Sequence, residues 1–287
     1  MSPISTIAVL GAGVLGSQIA YQAAWNGFTV VSYDVDDAAL AAARTRFDRL
    51  GHTYEGAHVA SRASDSPDAA AASSRLTLTS DLAAAVADAD LVIEAVPENL
   101  EVKRELYGRL AAVAGASTIF ATNSSTLLPS DLKDATGRPD RFLALHYANN
   151  VWAQNTAEVM GTVDTSPESF EAVVDFATRS GLVPIELKKE KAGYVLNSLL
   201  VPFLNAASEL LMLGIADPET VDKTWRLATG APAGPFQIYD VIGLITPYNI
   251  ASSRPDAGSQ AFAAYLKENF IDKGKLGVAT GEGFYTY

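Results

Sequence analysis

"TIAVLGAGVLGSQIAYQAAWNGFTVVSYDVD", residues 6–36, is the stretch whose reading decides the fold. Ile7 to Leu10 form a short apolar run suited to a parallel strand covered on both faces. Gly11, Gly13 and Gly16 follow at once, a helix runs on to about Trp25, and Asn26-Gly27 ends it. Phe28 to Tyr33 make a second strand, closed by Asp34. Gly11 suits a tight turn, Gly13 lets the backbone approach a pyrophosphate, and Gly16 lets the helix sit close on the sheet. The first helical amides, at Val14 and Leu15, then face the phosphates. An acid at position 34 accepts hydrogen bonds from a ribose 2′-hydroxyl and repels a 2′-phosphate. Asp36 adds charge, and no arginine or lysine precedes Arg44. The unit predicts NAD rather than NADP. The glycines alone also accommodate FAD, and their blandest reading is a turn that binds nothing.

Outward from this unit, residues 37–50 read as another helix. Residues 51–74 are rich in Ala, Ser and Asp with little period, a helical excursion or a flexible loop. Strand candidates follow at 76–78, 89–96, 117–123, 141–147, 155–161 and 182–188, with helical segments near 80–87, 99–113 and 128–135. Ser166 before Pro167, with Glu168 and Glu171 in the first turn, marks one further helix start. The alternation predicts an α/β class, a Rossmann-type dinucleotide-binding domain. After Glu190 the pattern becomes helical, broken at "GIADP", "GAPAGP" and "GEGFYTY". The expected division is residues 1–188 for NAD and an all-helical C-terminal domain, 189–287, for substrate and dimerisation.

Composition narrows the function. The chain has 287 residues, 48% of them hydrophobic, enough for a large core. Acidic residues outnumber basic ones 33 to 21, and the net charge of −12 argues against nucleic acid or an anionic membrane as a non-specific partner. With no cysteine, thiol catalysis and thiolate metal sites are excluded, and no metal site is expected. The N-terminal apolar run has no basic flank and is interrupted by glycines, unlike a signal peptide. The apolar stretch from Ser198 holds Asn205 and Glu209, which favours a buried helix over a membrane span. A cytoplasmic location is the expectation.

Of three histidines, His52 and His58 lie in a polar stretch and read as surface residues. His146, in "RFLALHYANN" (141–150), stands at the carboxyl end of a strand, where this fold class places its ligands. A carboxylate at Glu158, twelve residues on, would fix the imidazole's tautomer and support its charged form. His146 could then take a hydroxyl proton while hydride leaves the same carbon for nicotinamide. The alternative is a histidine that merely caps the strand. Ser125, Asn149 and Asn197 are candidates to bond the substrate oxygen or the ring. Asn123 to Thr126, at another strand end, read either as ribose and substrate contacts or as a helix cap. Glu98 and Lys103 follow a further strand end, although Lys103 also fits a surface helix position.

Taken together, these stretches resemble the short-chain L-3-hydroxyacyl-CoA dehydrogenase family, including 3-hydroxybutyryl-CoA dehydrogenases. "IAVLGAGVLGSQIA" is similar to the family's cofactor motif. "EAVPENLEVKRELY" (94–107) resembles a segment that implies nicotinamide-side roles for Glu98 and Lys103. "ATNSSTL" (121–127) implies a substrate-contacting Ser125 beside Asn123. "RFLALHYANN" implies the base at His146 and a site asparagine at Asn149. The resemblance places the catalytic glutamate at Glu158 and, through "GYVLNSLLVPFLNAA", another site asparagine at Asn197. "GAPAGPFQIYDVIGL" and "FIDKGKLGVATGEGFYTY" are similar to the C-terminal signatures. The implied activity is reversible, NAD-dependent oxidation of a 3-hydroxyacyl-CoA to the 3-oxoacyl-CoA in fatty acid metabolism, by a homodimer. Asn150, Ala148 and Ala192 depart from a proline, an aromatic and a second proline of the family. Residues 51–74 lack the lysine that relatives place near CoA, and only Arg62 is basic there. A non-CoA hydroxy acid, of gulonate or carnitine type, is therefore the alternative substrate. An NAD-binding protein without catalysis is the alternative from another class.

Overall fold

The computed structural model describes residues 3–287 and divides into a unit ending at Val195 and a second, Leu196–Tyr287. The first unit runs β1 Thr6–Leu10, α1 Val14–Trp25, β2 Thr29–Tyr33, α2 Asp37–Gly56, α3 Ala69–Ser73, β3 Leu76–Thr79, α4 Leu82–Val86, β4 Leu91–Glu94 and α5 Leu100–Val113. It continues with β5 Ile119–Thr122, α6 Pro129–Leu132, β6 Phe142–Tyr147, β7 Thr156–Gly161, α7 Pro167–Arg179 and β8 Val183–Leu187. Short polar side chains start the helices. Asp36 accepts from the Ala39 amide, Asn99 from those of Glu101 and Val102, and Ser166 from that of Ser169. The sequence reading ended α2 at residue 50. It continues to Gly56 because Leu50, Gly51 and Tyr54 keep an inward face. The excursion after it is a loop and the short α3, and His52 and His58 are exposed.

The strands form one sheet in the order β3-β2-β1-β4-β5-β6-β7-β8. All pairs are parallel except β6 with β7. The order reverses at β1, between β2 and β4, which opens a crevice at the carboxyl ends of these strands. β1, β4, β5 and β6 are almost wholly buried, which is why they read as apolar runs without alternation. One apolar cluster joins Ile7, Val9, Ile93 and Leu145 to α1 and α7. The other joins Ala8, Leu10, Val92 and Phe120 to α4 and α5.

The second unit holds α8 Leu196–Met212, α9 Pro218–Thr229, α10 Pro235–Ile242, α11 Ile245–Ser252 and α12 Ala257–Asn269 around Leu204, Phe236, Tyr239, Leu244, Phe262 and Leu266. Two buried carboxylates order its loops. Asp222 accepts from the Phe236 and Gln237 amides, and Asp240 from those of Phe284 and Tyr285. No helix among the described residues is long and apolar enough to cross a membrane. The expectation of a buried α8 needs correction. Leu204, Ala207 and Ser208 form its buried stripe, whereas Leu199 is 69% exposed.

Candidate active site

Gly11 takes φ +97°, and a Cβ there would stand 2.6 Å from the carbonyl oxygen of Ala95. A Cβ on Gly16 would lie 1.8 Å from the Gly11 oxygen, so only glycine lets α1 start this close to the turn. Beside Gly13 there is nothing within 4 Å, which leaves open the space a pyrophosphate would enter. Asp34 accepts from the Ala12 amide through Oδ2 and from the Val35 amide through Oδ1, both at 2.8 Å. Each oxygen keeps a lone pair for a ribose hydroxyl. The turn, the start of α1 and Asp34 together fit NAD. Sequence reasoning missed Arg46, one helix later, whose guanidinium donates to the Ala12 carbonyl at 3.0 Å and fixes the turn from its other side.

A buried charge network lies beyond β4. Lys103 is 1% exposed, and its ammonium group reaches Glu94 Oε1 at 2.9 Å, Glu94 Oε2 at 3.1 Å and Glu98 Oε2 at 3.0 Å. The surface reading of Lys103 does not hold: its ammonium is buried and pairs with both carboxylates. Glu94, missed in the sequence as a site group, also accepts from Thr122 Oγ1 at 2.8 Å and the Val96 amide at 2.9 Å. The other oxygen of Glu98 accepts from Ser124 Oγ at 2.6 Å and from the amide and hydroxyl of Thr126, both at 2.8 Å. Burial by itself would raise the pKa of Glu98. The Ser124 hydroxyl, Lys103 and the Thr126 donors outweigh it and bring the value down to about 2. Asn123 Oδ1 accepts from the Tyr147 amide, which ties this loop to β6.

The antiparallel pairing of β6 and β7 sets His146 directly across from Glu158. The imidazole Nδ1 lies 2.9 Å from Glu158 Oε2, and both residues are buried, His146 at 5% and Glu158 at 4% exposure. A carboxylate only accepts, so Nδ1 carries the proton and donates it to Glu158. Nε2 then presents its lone pair, and Ser125 Oγ, 3.0 Å away, donates to it. This arrangement can take a proton from a substrate hydroxyl and return it. Three expected residues, His146, Glu158 and Ser125, are thus brought together. Asn149 stands exposed in the loop after β6, and Asn197 lies in the first turn of α8, in the second unit. Asn150 takes φ +61°, a value open to asparagine but closed to proline, which accounts for its departure from the resembled pattern. Its amide and that of Val151 donate to Gln18 Oε1.

The sequence reading ended the first domain at residue 188. The structure keeps residues up to Val195 with the first unit, because they bond its site. The Gly193 amide donates to the Ser125 carbonyl, the Val195 amide to Glu158 Oε1, and the Tyr194 hydroxyl to the Ser124 carbonyl.

The sequence profile of the 3-hydroxyacyl-CoA dehydrogenase NAD binding domain matches residues 6–191, and that of the same enzymes' C-terminal domain matches residues 193–287. The chain belongs to the 3-hydroxyacyl-CoA dehydrogenase family. It is an NAD-dependent dehydrogenase of that type, a Rossmann-type domain followed by a helical one. The mitochondrial hydroxyacyl-coenzyme A dehydrogenase of Rattus norvegicus is 36% identical over 99% of this chain and 91% of its own length. Two solved structures are also similar. A diketoreductase, described as acting on dicarbonyl compounds, is 61% identical with a TM-score of 0.93, each chain covered in full. The (S)-3-hydroxybutyryl-CoA dehydrogenase PaaH1 of Ralstonia eutropha is 30% identical with a TM-score of 0.76, 99% of each chain being covered. The expected cytoplasmic location is overturned by these comparisons, since the rat, human, pig and mouse relatives, 35–36% identical, are all named as mitochondrial.

Proposed function

We propose that the chain interconverts a short L-3-hydroxyacyl-CoA and the 3-oxoacyl-CoA, with His146 as the acid and base. The observation that carries this is the dyad: Nδ1 is fixed on Glu158, and Nε2 is shared with the hydroxyl of Ser125. When bound, NAD⁺ supplies the hydride acceptor. Gly11, Gly13, Gly16 and the amides of Val14 and Leu15 would hold its pyrophosphate, and Asp34 its ribose. In oxidation His146 Nε2 takes the hydroxyl proton as the carbinol carbon loses hydride, so the alcohol becomes a ketone. In reduction the imidazolium returns that proton to the carbonyl oxygen. Glu158, buried beside the ring, stabilises the charge that forms on it. Ser125 holds the reacting oxygen beside Nε2, and Asn149 supplies a further polar contact to the substrate.

A second reading has specific support. The diketoreductase named above is the relative with 61% identity, and residues 51–74 carry Glu55, Asp65 and Asp68 against the single Arg62. Such a segment repels the phosphates of CoA. Under this reading the substrate is a β-dicarbonyl without a nucleotide handle, reduced by the same dyad. Loss of NADH absorbance at 340 nm decides between the two. Acetoacetyl-CoA is expected to turn over at least tenfold more efficiently than acetoacetate or another dicarbonyl compound without CoA. The reverse order would transfer the protein to dicarbonyl reduction, and turnover of none of them would sink both readings.

The homodimer also belongs to this proposal. Leu213, Ile215, Leu227 and Val241, all in the helical unit, are 59–76% exposed. Apolar side chains so exposed suit a partner surface. Sedimentation at micromolar concentration is expected to give twice the 30.2 kDa chain mass, and a species of single mass would refute the dimer.

A further inference from the structure

We propose that Tyr194 is a positioning residue for the catalytic base: its ring fixes the plane of the His146 imidazole and favours the positive charge that the ring acquires. The proposal rests on the reading of His146 as the base. The two rings are stacked with centroids 4.4 Å apart and planes 9° from parallel. Hydrogen bonds at Nδ1 and Nε2 leave one motion unrestrained, a rocking of the imidazole about the line through those two nitrogens. A parallel ring in contact blocks that motion. The face of a phenol carries the negative part of its quadrupole, so it attracts an imidazolium more than a neutral imidazole. Its contribution therefore grows as the proton arrives.

The backbone is bent to deliver this ring. Gly193 takes φ +81° and Tyr194 φ +51°, the latter costly for a residue with a bulky side chain. Such a conformation persists only where its surroundings enforce it, and here each neighbour ends on a site residue. Gly193 donates to the Ser125 carbonyl, Tyr194 Oη to the Ser124 carbonyl at 2.7 Å, and Val195 to Glu158 at 2.8 Å. Tyr194 is 1% exposed, so water does not weaken the contact. Burial, then the charges of Glu98, Glu158, Glu94 and Glu190, push the Tyr194 phenol well above its ordinary pKa. The ring stays neutral and electron-rich across the working range. Glu158, on β7, is the carboxylate in direct contact with His146; Glu98, beyond β4, acts on the pair through Ser124.

The test uses Tyr194→Leu, Tyr194→Phe and pentafluorophenylalanine placed at position 194. With ¹⁵N-labelled histidine in the cofactor-free protein, the His146 signal is identified by its loss in His146→Gln. The titration midpoint in Tyr194→Leu is expected about 0.5 pH unit below that of the parent, and pentafluorophenylalanine, which keeps the shape but inverts the quadrupole, is expected to move it further down. Tyr194→Phe keeps the face and stays within about 0.2 unit. The sign carries into kinetics. Oxidation needs the neutral ring, so the acid limb of kcat/KM moves to lower pH in Tyr194→Leu; reduction needs the imidazolium, so its alkaline limb also moves lower. At the optimum, kcat is expected to fall about tenfold with KM within twofold. Equal midpoints for Phe and pentafluorophenylalanine would overturn the proposal even if the leucine variant fails to fold. Full turnover in His146→Gln would instead remove the base reading and leave the effect on the ring's titration standing.

Discussion

His146→Gln is expected to lower kcat in both directions by about 10³, while NADH binding, followed by its fluorescence, stays within twofold of the parent. Glutamine can still donate toward Glu158 and is close in size, so the pocket keeps its shape. What it cannot do is carry a proton between substrate and solvent at neutral pH. A factor of 10³ corresponds to about 4 kcal/mol of transition-state stabilisation, within the range of general acid and base catalysis with its electrostatic support. NADH affinity is expected to survive because the turn at Gly11, Gly13 and Gly16 and the Asp34 carboxylate hold their places through Ala12 and Arg46 and make no bond to His146. A loss of less than tenfold would show that His146 serves the strand end rather than the chemistry. Loss of NADH binding would show that it supports the fold of the crevice.

Which of these features could be read in the sequence depended on the range of the interactions behind them. The glycine turn, Asp34, the helix caps and the alternation of strands and helices are local, and each is fixed by residues a few positions apart. His146 was legible as a strand-end residue. Glu158 could be named as its partner from the chemistry, but not placed in contact, because twelve residues of separation become a contact only through the antiparallel register of β6 and β7. Tyr194 was not legible at all. Its ring reaches His146 through two consecutive residues of positive φ, and no composition rule flags a tyrosine for that conformation. The buried pairing of Lys103 was not legible, because a lysine on a helix is normally solvated, whereas this one faces Glu94, nine residues earlier at the end of β4. The signal available was that spacing: an acid closing a buried strand and a cation one helical turn into the next helix.

Lys103→Met is expected to be the most destabilising single change outside the dyad. Glu94 is 0% exposed and Lys103 1%, so the pair has exchanged water for each other. Methionine matches the length of the lysine stem but leaves Glu94 as an uncompensated charge in the interior. Removing one partner of a buried pair costs about 3–5 kcal/mol, and in a protein of this size that lowers Tm by about 10 °C. The effect is also expected at the site. Lys103 holds Glu98, and Glu98 orders Ser124 and Thr126, so NADH affinity should fall at least fivefold while His146 remains intact. Adding Glu94→Gln removes the stranded charge and is expected to recover at least half of the lost Tm, but not the NADH affinity, because Glu98 still lacks its cation. Acid titration reports on Glu98. The pKa of Glu98 in the folded protein is about 2 against an ordinary 4.5, so its contribution is present above pH 4.5 and is lost as pH falls towards 2. Without Lys103 that loss should begin at higher pH, visible as an earlier decline of Tm in thermal melts between pH 6 and 3. A Lys103→Met protein with parental Tm and unchanged acid behaviour would mean that the cation adds nothing beyond its stem, and that the loop from Asn123 to Thr126 is held by its backbone alone.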